Sequence, residues 1–70
     1  MGEAIRIRLN GEDAEVAAGT TIGALVDGVT KDRSRIAVER NKEIVPRTSY
    51  DQQAAEEGDV IEIVTLVGGG

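Results

Sequence analysis

The chain has no cysteine, histidine, tryptophan or phenylalanine. Lacking cysteine, it has no disulfide framework and no thiol nucleophile, and lacking histidine as well it has no Cys/His zinc site. The usual general base near neutral pH is also missing. Tyr50 is the single aromatic residue, which excludes a base-stacking platform and leaves the core to aliphatic packing. Basic residues are scarce, 8 Lys and Arg against 13 Asp and Glu, for a net charge of −5. That balance argues against nucleic acid or an anionic membrane as partner and suits a basic patch on another protein. No apolar run approaches the ~20 residues of a membrane span, and no hydrophobic signal core opens the chain. Arg6 stands where a myristoylation signal wants Ser or Thr, and neither Asn10 nor Asn41 starts a glycosylation site. A cytoplasmic protein is the expectation.

Its 70 residues make one domain, spanning 1–70. A chain of this size buries only roughly 60% of its unfolded surface, with little room for an enclosed pocket. Ile5, Ile7 and Leu9 alternate with Arg6 and Arg8, the period of a strand with one buried face. Asn10-Gly11 is a strong hairpin signal, because both turn positions need positive φ. Glu12 to Ala17 forms the returning strand, with Ala14 and Val16 inward. Thr20 or Thr21 caps a helix in which Ile22, Leu25, Val26 and Val29 share one face. Gly23 costs that helix about 1 kcal/mol relative to alanine, and Gly28 is its stop. Lys31 to Arg35 alternates in charge, as a solvated loop does.

Ile36 and Val38 restart the strand period, and a turn at 39–42 leads into a brief Ile44-Val45 strand ended by Pro46. Thr48 to Ala55 holds a capped turn or two with Tyr50 packed inward, and Gly58-Asp59 makes a turn. Val60 to Val67 is the longest β-prone run, and Gly68-Gly69-Gly70 follows as a flexible tail over 68–70. One helix covers one face of a sheet, so the fold class is α+β, a mixed sheet of about four to five strands wrapped on that helix.

The densest carboxylate group, Glu56-Glu57-Asp59, reads as a solvated turn, since a catalytic carboxylate needs a desolvated cleft. There is no glycine-rich phosphate cradle and no metal-ligand spacing, so a free-standing enzyme is rejected. Along the last strand Ile61 and Ile63 share one face, and Glu62, Val64 and Leu66 share the other. Val64 and Leu66 then form either an exposed contact patch or a surface covered by neighbouring strands. The tail also has two readings, simple fraying or a thread without Cβ atoms that enters a narrow enzyme channel. At the end of such a thread the α-carboxylate of Gly70 is the reactive group. ATP converts it to an acyl-adenylate, and a sulfur or nitrogen nucleophile then displaces AMP, with no Cys or His needed in the carrier.

The runs Asn41-Lys42-Glu43-Ile44-Val45-Pro46-Arg47, Gly58 to Val64 and Val67-Gly68-Gly69-Gly70 resemble the ThiS family, the sulfur carriers of thiamine biosynthesis in the β-grasp (ubiquitin-like) group. The resemblance implies that a ubiquitin-activating-enzyme-like adenylyltransferase (ThiF type) uses ATP to adenylate Gly70. Sulfur from a donor protein then gives a thiocarboxylate, which a thiazole synthase (ThiG type) consumes. It further implies that Gly69 and Gly70 are the diglycine, that Gly68 is a spacer in tail recognition, and that no cofactor or metal is bound permanently. Val64 and Leu66 are the candidate docking surface, Pro46 ends a strand, and Arg47 bonds a free carbonyl. The alternatives are a carrier like the small subunit of molybdopterin synthase, a ubiquitin-like modifier joined to target lysines, and an interaction module with an idle tail.

Overall fold

The computed structural model describes residues 2–66. Strands β1 (Ala4–Leu9) and β2 (Glu12–Ala17) form the predicted hairpin, pairing Ile5 with Val16 and Ile7 with Ala14. Asn10 and Gly11 turn it with φ of 53° and 83°, the positive values that a two-residue turn between twisted strands requires. Ile7 is buried, Ile5, Leu9, Ala14 and Val16 pack partly against the core, and Arg6, Arg8, Asp13 and Glu15 face solvent.

Helix α1 (Ile22–Asp27) is under two turns long, so packing and capping hold it rather than propensity. Three of its free N-terminal amides find partners. Ile22 donates to the Gln53 carbonyl and Gly23 to the Tyr50 carbonyl, each at 2.9 Å, and Ala24 donates to Thr21 Oγ1 at 3.0 Å. Ile22, Leu25 and Val26 are buried, as the helical spacing predicts. Val29 departs from that prediction. The helix ends at Asp27 with Gly28 as its cap, so Val29 lies beyond the last turn and is exposed.

Gly23 also has a cause that propensity does not supply. The 50–53 segment lies across the helix N-terminus, and a Cβ at Gly23 would run into Asp51 Oδ1 and stand 2.8 Å from Arg33 Nη2. Arg33 bridges Asp27 and Asp51, with four contacts of 2.9–3.0 Å, and its guanidinium lies 6.0 Å from the centre of the Tyr50 ring. The expected solvated loop at 31–35 is therefore anchored through Arg33. Hydrogen bonds from Arg33 hold both carboxyls below the usual carboxylate range. Gly23→Ala is expected to change stability by less than about 1 kcal/mol, because displacing the exposed Asp51 carboxylate from Arg33 offsets the helical gain. Thermal unfolding checks this, and the same change in an Asp51→Ala background should raise the midpoint.

Strands β3 (Ile36–Arg40) and β4 (Glu43–Val45) form a second hairpin, turned by Asn41 and Lys42 with φ of 54° and 71°. Pro46 ends β4 at the sheet edge, where its missing N–H costs no ladder bond. A 3₁₀ turn over Arg47–Ser49 then drops Tyr50 into the core, as predicted. Arg47 does not fill its expected role. Its side chain is exposed and, among the described residues, donates no hydrogen bond to a carbonyl, because the turn's own backbone bonds already serve the local acceptors.

Strand β5 (Val60–Thr65) completes a five-stranded sheet in the order β2-β1-β5-β3-β4. It runs parallel to β1 and antiparallel to β3, which makes the sheet mixed. The core lies between the sheet and α1, with Val26, Val38 and Ile61 fully buried. This is the expected β-grasp arrangement.

Candidate functional site

The strand that leads to the tail is held from both sides. Asn10 Oδ1 accepts the Ile63 amide at 2.7 Å, and the Asn10 amide donates to the Ile61 carbonyl at 2.9 Å. On the other side, Asn41 Oδ1 accepts the Val60 amide at 2.9 Å and the Asn41 amide donates to the Val60 carbonyl at 2.7 Å. Each hairpin asparagine thus does two jobs. It takes the positive φ of its turn, and it bonds β5 where the neighbouring strand stops. At the far end the Leu66 amide donates to the Arg35 carbonyl at 2.7 Å. The chain is therefore fixed up to the last described residue. Gly68, Gly69 and Gly70 lie outside the described residues.

Asp59, at the start of β5, corrects the expected solvated carboxylate group. Glu56 and Glu57 are exposed, but Asp59 is only 6% exposed. It accepts the Glu56 amide at 2.9 Å and the Asn41 side-chain amide at 3.1 Å, and pairs with Arg40 at 2.8 Å. Burial pushes its carboxyl up, but these donors and the Arg40 charge outweigh it and hold the group below its ordinary value. The Asn41 and Gly58-Asp59 segments thus form one structural unit.

The alternation along β5 holds in the structure. Ile61 and Ile63 are buried, while Val60, Glu62 and Val64 face outward. Val64 is 50% exposed and Leu66 48%, so neighbouring strands do not cover them. Strand register adds more. Ala37 lies opposite Val64, Glu39 opposite Glu62, and Ile44 opposite Glu39, so all share the sheet face away from α1. Ile44, 67% exposed, is the member that strand alternation at 36–45 had left unassigned. Its signal was available, because Val45 is the inward residue of so short a strand. Surface depressions on this side, one bordered by Arg6, Asp13, Ala14 and Glu15, are open to solvent. Among the described residues no group of acidic side chains has metal-binding geometry. No helix among them is long and apolar enough to cross a membrane.

A mixed sheet wrapped on one helix, with its central strand emerging beside an apolar surface, defines a β-grasp protein of the ubiquitin-like group. Residues 7–70 match the ThiS family, and the chain belongs to that family. It is 40% identical to the sulfur carrier protein ThiS of Bacillus subtilis (strain 168), over 91% of this chain and 98% of that one. It is also 44% identical to a segment of a thiazole synthase from Paramagnetospirillum magneticum. That match takes in 94% of this chain, which spans only 20% of the synthase. The crystal structure of a thiamine biosynthesis protein (ThiS) from Geobacter metallireducens has the same fold, with a TM-score of 0.78 at 25% identity, covering 94% of this chain and 100% of that one.

Proposed function

We propose that this chain is a sulfur carrier of thiamine biosynthesis and acts as a co-substrate, not as an enzyme. The observation that carries this reading is the family match running through Gly70. The Gly70 carboxylate attacks the α-phosphate of ATP bound to a ThiF-type adenylyltransferase and releases pyrophosphate. The terminal sulfur of a persulfide donor protein then attacks the carbonyl carbon and displaces AMP, and a second thiol cleaves the resulting acyl-disulfide, leaving a disulfide behind and releasing the sulfur on Gly70. The thiocarboxylate that results is ionised and nucleophilic at neutral pH, and a thiazole synthase takes its sulfur. Gly68 and Gly69 let the thread pass a narrow channel, since neither carries a Cβ. Val64 and Leu66, joined by Ile44, form the docking surface. The ATP requirement sets this work in the cytoplasm.

The similarity to thiazole synthases supports that enzyme as the sulfur acceptor, in preference to a molybdopterin-type partner. The test is the intact mass of the chain after incubation with ATP, the adenylyltransferase, a persulfide donor and a thiol reductant. The expected result is replacement of one oxygen by sulfur, mapped to Gly70. An unchanged mass beside an active control carrier would refute the reading.

A further inference from the structure

The open face of the sheet contains a charge conflict. Glu39 and Glu62 are directly opposed on antiparallel strands, which sets their Cβ atoms about 5 Å apart on the same face. Carboxylates in that relation repel, and the two arginines beside them are committed elsewhere. Arg8, on the strand beside β5, contacts Asp13 at 3.2 Å and the Gly11 carbonyl at 2.8 Å. Arg40, next to Glu39 in sequence, points to the opposite face and pairs with Asp59. Among the described residues neither Glu39 nor Glu62 takes part in an ion pair.

Exposed apolar residues frame this pair. Ile44 flanks Glu39 across the ladder, and Val60 and Val64 stand two residues to either side of Glu62. Water screens the repulsion while the face is open. A partner that covers Ile44, Val64 and Leu66 removes that water, and burying two uncompensated carboxylates is prohibitive. The apolar patch is therefore usable only by a surface that brings its own cation.

We propose that this face docks on a protein surface presenting an arginine framed by apolar side chains, the guanidinium seated between Glu39 and Glu62, and that this surface belongs to the enzyme that adenylates the tail. The proposal rests on the carrier reading above and names the chemistry by which that partner is recognised. Arginine fits better than lysine because its planar fork reaches two carboxylates at once and is more weakly hydrated. Leu66 is four residues from Gly70, a reach of at most about 14 Å, so docking and tail insertion engage the same enzyme. In two relatives the homologous segment is part of a chain named thiazole synthase. There that partner is in the same chain at high effective concentration, whereas a separate adenylating enzyme arrives by diffusion and gains from charge steering.

The experiment compares the full chain with its Glu39→Gln/Glu62→Gln double variant, measuring Kd for the ThiF-type adenylyltransferase by calorimetry at two salt concentrations. The expected result is a Kd raised about tenfold or more and a flattened salt dependence, with an unfolding midpoint equal to or above that of the parent. An unchanged Kd overturns the proposal, as does failure of the parent chain to bind. An effect confined to thiazole synthase, or a parent dimer that the double variant abolishes, overturns the choice of partner. Intact mass separates the two readings. Sulfur loading with a charge-independent Kd leaves the carrier role standing and refutes this docking mode. Charge-dependent docking without loading upholds the docking mode and refutes the carrier role.

Discussion

Asp59→Ala is expected to remove a large share of the chain's stability, about 3 kcal/mol or more. The carboxylate is buried and satisfies the Glu56 amide, the Asn41 side chain and the Arg40 guanidinium together. Removing it leaves the partly buried Arg40 with only Gln53 at 3.1 Å and Glu56 at 3.9 Å, and frees Asn41, which also brackets Val60. Breaking such a pair costs about 3–5 kcal/mol, against a total stability of about 3–10 kcal/mol for a chain of this size. Circular dichroism and urea unfolding at 25 °C check it. Asp59→Asn should be milder, since it keeps an acceptor for the Glu56 amide. The same group sets an acid limit. Its folded pKa lies below the unfolded value, so its stabilisation is fully present above the unfolded pKa of about 4 and is lost as pH falls through the folded one. Urea midpoints should fall with pH below about 4 in the parent chain and fall less steeply in Asp59→Asn.

The second large effect concerns transfer rather than folding. Deleting Gly70 leaves Gly68-Gly69 at the end, so the chain still terminates in a diglycine carboxylate. That carboxylate is set back by one residue, about 3.5 Å. Phosphoryl attack demands in-line approach, and a misplacement of about 1 Å already costs on the order of 100-fold. The truncated chain is expected to dock with an unchanged Kd while its rate of ATP-dependent adenylation falls by more than about 100-fold. Pyrophosphate exchange measures the rate and calorimetry the docking. A normal rate would mean that any terminal glycine carboxylate suffices and that the spacing from Leu66 is irrelevant.

Local signals carried the parts of this fold that depend on few residues. The first hairpin was legible because Asn10-Gly11 and the Ile5, Ile7, Leu9 alternation each specify it within a short span. Helix periodicity found Ile22, Leu25 and Val26 but ran on to Val29, because a 3.6-residue pattern does not report where capping stops it. Gly23 looked like a weak helix residue, since its crowding by Asp51 and Arg33 exists only after distant segments meet. Asp59 was misplaced for the same reason, its burial depending on Arg40, Asn41 and Glu56. The site divides similarly. Alternation assigned Val64 and Leu66 to one face, but their exposure and the opposition of Glu39 to Glu62 required the strand order.

The strand order also governs how the protein is made. β5 pairs with both β1 and β3 and occupies the middle of the sheet, yet it is synthesised after the other four strands. Until Val60 to Leu66 has left the ribosome, β1 with β2 and β3 with β4 are separate hairpins with no strand between them, and isolated hairpins are marginal in water. The sheet therefore closes only once β5 has emerged. A product cut short before β5 cannot close the sheet and is left to proteolysis. Completion of the fold thus reports that the strand leading to the glycines has been made in full.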